Sequence, residues 1–102
     1  MAEEPSVLFY AKRDLYYEDE LVLMKNESSV FLVDTDRTFR SFCYEFAGAN
    51  GLPFHLLRFT NAQSGRELNL GLKTPPEGCI ILVDWRYSSS REQRITNFNL
   101  QT

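Results

Sequence analysis

The feature that most constrains this chain is a short apolar period set between two apolar runs. Phe39, Phe42, Cys43 and Phe46 recur at i, i+3, i+4 and i+7, the spacing that places side chains on one side of a helix. Arg40, Ser41, Tyr44 and Glu45 take the other side. Asp34, Thr35 and Asp36 precede this stretch as candidate N-caps, and Gly48, Gly51 and Pro53 follow it as a stop. The spacing predicts one main helix over about residues 37–47. A helix with a single apolar side needs an apolar surface to lie on, which for 102 residues points to a sheet covered on one face.

The remaining apolar runs supply that sheet. Residues 6–10 (SVLFY) form a short β-prone run. Residues 21–24 and 30–33 are continuously apolar and flank Asn26, Glu27 and Ser28, the pattern of a hairpin. Residues 56–59 read as a further strand and 66–69 as a short edge strand. Pro75 and Pro76 make residues 71–78 a loop, because proline cannot donate to a ladder. Residues 80–85 (IILVDW) are apolar on both strand faces over most of their length, as a central strand is. The expectation is an α+β fold: a mixed four- to five-stranded sheet, one main helix on one face, and an extra N-terminal strand. Residues 1–20 would form an arm or that extra strand, 21–87 the domain, and 88–102 a C-terminal tail expected to be flexible.

Composition narrows the function classes. A net charge of −3 disfavours general nucleic-acid binding. Residues 1–36 hold nine acids against three bases, and residues 37–102 five acids against eight bases. No run of 18 apolar residues occurs, so no membrane helix is expected. The acidic start of the chain is unlike a secretory signal. Cys43 and Cys79 are expected reduced and buried, in an intracellular setting, cytoplasmic or nuclear. His55 is the only histidine, so a histidine metal site lacks ligands and a triad would rest on that one residue, for which a structural or surface role is expected. Glu18, Asp19 and Glu20 lack the glycine-centred pattern of a calcium loop. The residues offer no catalytic constellation, metal site or cofactor site, and the chain is expected not to be an enzyme.

Residues 29–59 carry a more specific signal. The helix period is followed by Gly51, Leu52 and Pro53, then by Leu57, Arg58 and Phe59, and later by Gly65, Arg66 and Leu68. This order resembles ubiquitin-like β-grasp proteins, and SUMO-like ones in particular. The resemblance covers about residues 21–85 and implies a module recognised by other proteins. The sequence departs from the family in a shorter loop between Leu68 and Ile80, in an insertion over residues 61–64, and in ending Asn97-Phe98-Asn99-Leu100-Gln101-Thr102 without Gly-Gly. A conjugated modifier is therefore not expected. SUMO-like proteins accept an extended peptide between a strand and the helix, a form of strand addition. The matching positions here are Phe31, Leu32, Val33 and Asp34, with Phe42 and Phe46 on the helix. The family has basic residues at two of these strand sites. Leu32 and Asp34 replace them, which favours an apolar or basic segment over an acidic one.

These readings converge on a non-enzymatic protein–protein interaction module acting as an adaptor or complex subunit. Residues 21–24, 30–33 and 80–83 are apolar on both strand faces, yet one helix covers one face. Two coverings are open: the N-terminal Val7, Leu8, Phe9, Tyr10, Leu15, Tyr16 and Tyr17 fold back, or another protein or a second copy binds there. The expected contact residues are Phe31, Val33 and Tyr44, with Arg40 on the rim, at a sheet face or strand edge. The alternatives are an enzyme accessory subunit, or a nucleic-acid-contacting subunit using Arg37, Arg40, Arg58, Arg66, Arg86, Arg91 and Arg94.

Overall fold

Local chemistry at its two ends bounds the helix. The structure, a computed structural model, describes residues 4–86, and the expected tail over 88–102 lies outside the described residues. The helix α1 runs Phe39–Ala49, with Thr38 as N-cap. Thr38 Oγ1 accepts the Ser41 amide at 3.3 Å, satisfying one of the first amides that no helical carbonyl can reach. Asp34 is not the cap, because its carboxylate already accepts the Asp36 amide in a local turn. The loop after residue 69 satisfies two more of these amides: Phe39 donates to the Leu72 carbonyl and Arg40 to that of Leu70. At the other end Gly51 adopts φ +66. Gly51 donates to Gly48 and Leu52 to Ala47, the paired bonds of a Schellman stop, and Leu52 is buried beside it.

Among the described residues six strands complete the α+β fold: β1 Ser6–Ala11, β2 Leu15–Tyr17, β3 Glu20–Leu23, β4 Ser28–Leu32, β5 Leu57–Asn61 and β6 Cys79–Trp85. A mixed four-stranded sheet has the order β4-β1-β6-β5, and β2 and β3 form a separate two-stranded sheet. β1 and β6 are parallel neighbours in the middle, and the other pairings are antiparallel. A single 3₁₀ turn, Phe54–Leu56, precedes β5.

The pairing differs from the sequence expectation at three points. The run 21–24 does not pair with 30–33. β3 turns back on β2 through Glu18 and Asp19, both at positive φ (53° and 68°), as a tight hairpin turn that matches strand twist requires. β4 pairs instead with β1, whose six alternating residues offer a longer ladder than the four of β3. Of the two expectations for the N-terminal run, an arm or an extra strand, the strand is found, and it lies at the centre of the sheet. The expected edge strand over 66–69 reduces to one bridge, Thr60 to Glu67, flanked by bonds from Asn61 to Arg66 and from Leu68 to Phe59.

Register decides the core. Val7, Phe9 and Ala11 of β1, Ile81, Val83 and Trp85 of β6, and Leu57 and Phe59 of β5 are buried on one sheet face with Phe39, Phe42, Cys43 and Phe46 of α1. The expected packing of the helix phenylalanines onto Leu57, Phe59 and one side of 80–83 is found, and Phe9 joins them. Its ring stacks on Phe46 at 4.7 Å and meets Phe31 and Phe59 edge-on at 5.6 and 6.1 Å. Leu15 and Leu23 extend this core, and Tyr17 lies 5.9 Å from Trp85. The small β2–β3 sheet therefore covers the far end of the face that α1 covers.

Replacing Phe42, which is 1% exposed, by Ala should cost about 3–5 kcal/mol in chemical denaturation. Tyr44→Ala should cost under about 1 kcal/mol, because Tyr44 is 59% exposed. Gly78→Ala should be more damaging than its size suggests. Gly78 has φ +82, and a Cβ there would lie 2.3 Å from the Ser6 carbonyl oxygen. The loss should exceed about 2 kcal/mol, combining left-handed backbone strain with displacement of β1.

Candidate functional site

The four expected contact residues fall into two places. Phe31 and Val33 are half-buried against the core. Phe31 pairs with Val7 across the ladder, and its ring meets Phe42 at 5.8 Å, so it faces α1. These side chains belong to the covered face, which corrects the expectation of an open face at Phe31. A charge at Phe31 would enter the core and cost stability before it touched any partner.

Arg40 and Tyr44 stand on the outer side of α1 around Phe54. Tyr44 stacks on Phe54 at 4.7 Å with the rings 7° from parallel, and the Arg40 guanidinium lies 5.4 Å from the same ring. With His55 they line a depression of about 340 Å³. Nothing in this group supplies an acid–base or nucleophile pair.

Both cysteines are free. Burial, and secondarily the neighbouring Cys79, pushes the Cys43 thiol far above its usual range. Cys79 is raised by burial and then by Glu77. The thiolate is the nucleophilic form, and both sites hold the thiol. Glu18 and Asp19 form the β2–β3 turn, and the described residues contain no group of three or more His, Cys, Asp or Glu arranged to hold a metal. Several of the arginines enter local contacts. Arg37 reaches Glu45 at 2.7 Å and lies over the Phe42 ring, Arg86 and Arg58 share Glu67, and Arg13 pairs with Asp84. Arg91 and Arg94 lie outside the described residues.

The second sheet face carries other side chains. Parity puts Val30 and Leu32 of β4, Leu8 and Tyr10 of β1, and Ile80 and Leu82 of β6 opposite the helix. Val30 is 59%, Leu32 61% and Ile80 39% exposed. Val30, Leu8 and Ile80 stand in one row across three strands. Together with Glu4, Gln63 and Glu77 they line a shallow concavity of about 560 Å³. The sequence carried the signal, since apolar residues occupied both parities of these strands. It lacked the register that says which parity is covered.

Among the described residues, one sheet edge is also open. β4 is an outer strand that pairs with β1 on its inner side. The opposite edge, β5, is covered by residues 66–68 through the bonds already described. No helix among the described residues is long and apolar enough to cross a membrane. The chain matches no family model and no curated protein.

The raised thiols carry a pH consequence. The unfolded Cys43 loses its proton near pH 8.5, while the folded thiol keeps it, so the unfolded state binds fewer protons above that pH and stability falls as pH rises. Denaturation measured from pH 7 to 10 should show this decline, and Cys43→Ala should flatten it. In native protein Cys43 should react with a thiol reagent only at the rate of unfolding.

Proposed function

We propose that this chain is a non-enzymatic protein-docking module of the ubiquitin-like β-grasp type, which binds a partner protein through the open face and open edge of its sheet. Two central parallel strands, antiparallel outer strands and one helix crossing a single face support the β-grasp reading. The observation that carries the docking reading is the row of exposed Val30, half-buried Leu8 and exposed Ile80 next to exposed Leu32. Single exposed apolar residues are ordinary on protein surfaces, but a contiguous group marks an interaction site. Enclosing one such side chain in a partner is worth about 1–2 kcal/mol. An open strand edge beside the group adds backbone donors and acceptors.

The test separates this face from ordinary exposed hydrophobes. Immobilised domain carrying Ile80→Glu or Leu32→Glu should lose partner capture while its circular dichroism stays unchanged. Leu72→Glu alters an equally exposed apolar residue (57%) in the loop after β5 and should capture normally. Equal capture by all three variants rejects the reading.

A further inference from the structure

The open edge of β4 has a symmetry that the open face lacks. Val33 donates to the Pro5 carbonyl, and Ala11 donates to that of Glu27. In an antiparallel ladder alternate residues turn their amides toward the neighbouring strand. Residues 27, 29, 31 and 33 therefore bond inward to β1, and Ser28, Val30 and Leu32 turn their N–H and C=O groups outward. The outward set is centred on Val30. Val30 and Leu32 are also the residues whose apolar side chains are exposed.

Protein edges are ordinarily blunted by proline, lysine, an inward charge or a bulge. Within Ser28–Leu32 β4 has none of these: its sequence is Ser-Ser-Val-Phe-Leu, its ladder with β1 runs without a register shift, and the bulge that sets Asn26 and Glu27 against Ala11 lies just before it. Charge adds direction. Asp34 and Asp36 follow the strand and Lys25 precedes it, all three exposed. Lys25 enters no ion pair among the described residues. A strand laid antiparallel along this edge would be complementary in charge if it carried a basic residue near Asp34 and Asp36 and an acidic one near Lys25. A second copy of β4 meets both requirements.

Resting on the docking reading above, we propose that the edge of β4 pairs antiparallel with β4 of a second copy about a two-fold axis at Val30. Val30 then opposes Val30 of the other copy, Ser28 opposes Leu32, and Lys25 of each copy approaches Asp34 and Asp36 of the other. Each outward amide donates across the axis, the two sheets join into one, and Val30 and Leu32 of both copies cover one another on the same side. The contact is isologous and closes at two copies. A five-residue edge buries less than about 1,200 Å², the size of dissociable interfaces, so the dimer exchanges with monomer and its population follows concentration.

Sedimentation velocity from micromolar to millimolar protein should show mass rising from monomer to dimer and no further. Hydrogen exchange on the unmodified protein should show the Ser28, Val30 and Leu32 amides slowing by about tenfold across that range, while Ser29 and Phe31 stay protected throughout. Val30→Pro removes the central outward N–H, a change that an edge strand tolerates on its solvent side, and should leave a folded monomer. Val30→Lys puts like charges face to face at the axis and should do the same. A monomer at every concentration, or a dimer in which those three amides exchange unchanged, overturns the inference. Monomeric protein that still loses capture only with Ile80→Glu and Leu32→Glu retains the docking reading and rejects this one.

Discussion

The fold depends on the ring of Phe9. It lies at the centre of the covered sheet face, stacked on Phe46 of the helix and edge-on to Phe31 and Phe59 on strands to either side. Offset and edge-to-face contacts of this kind add to the gain from burial alone. They also couple elements far apart in the chain: β1 at the start, α1 in the middle and β5 beyond it. That ring is the contact which the helix and both flanks of the sheet share, beside the direct pairs Phe42–Phe31 and Phe46–Phe59.

The covered face leads to the open one. Once Phe9 points toward the helix, strand pleating sends Leu8 and Tyr10 the other way. Parallel pairing with β6 then fixes Ile81 and Val83 inside with Ile80 and Leu82 outside. β2 and β3 extend the cover over Trp85 on the side already taken by α1. The described residues leave the opposite face to solvent, and the apolar row on it follows from the same register that builds the core.

The β4 edge ties stability to association. Its inward bonds hold β1 in the interior, and its outward groups remain available because the helix lies over a face and not beside the edge. The same alternation that buries Phe31 exposes Val30 and Leu32, so a strand that completes the core on one side supplies a self-complementary surface on the other.

The helix, its buried side and its glycine stop were legible in the sequence, because capping and i, i+4 periodicity are local and need no knowledge of neighbours. Phe39, Phe42, Cys43 and Phe46 are buried as their spacing requires, and Tyr44 is exposed for the same reason. The strand assignments at 30–33, 56–59 and 80–85 were also local and largely correct. Strand partners were not local. Nothing in residues 21–24 says that they turn back on Leu15–Tyr17 rather than onward to β4, and nothing in residues 6–10 says that they lie between two strands. Those choices are made by long-range pairing, and a change of one residue in parity exchanges the two faces of a strand. That is why Phe31 and Val33 read as candidate contacts in the sequence and proved to face the helix. Chain order alone determined that there would be surplus apolar strand surface, and the tertiary register decided that Val30, Leu32, Leu8 and Ile80 present it.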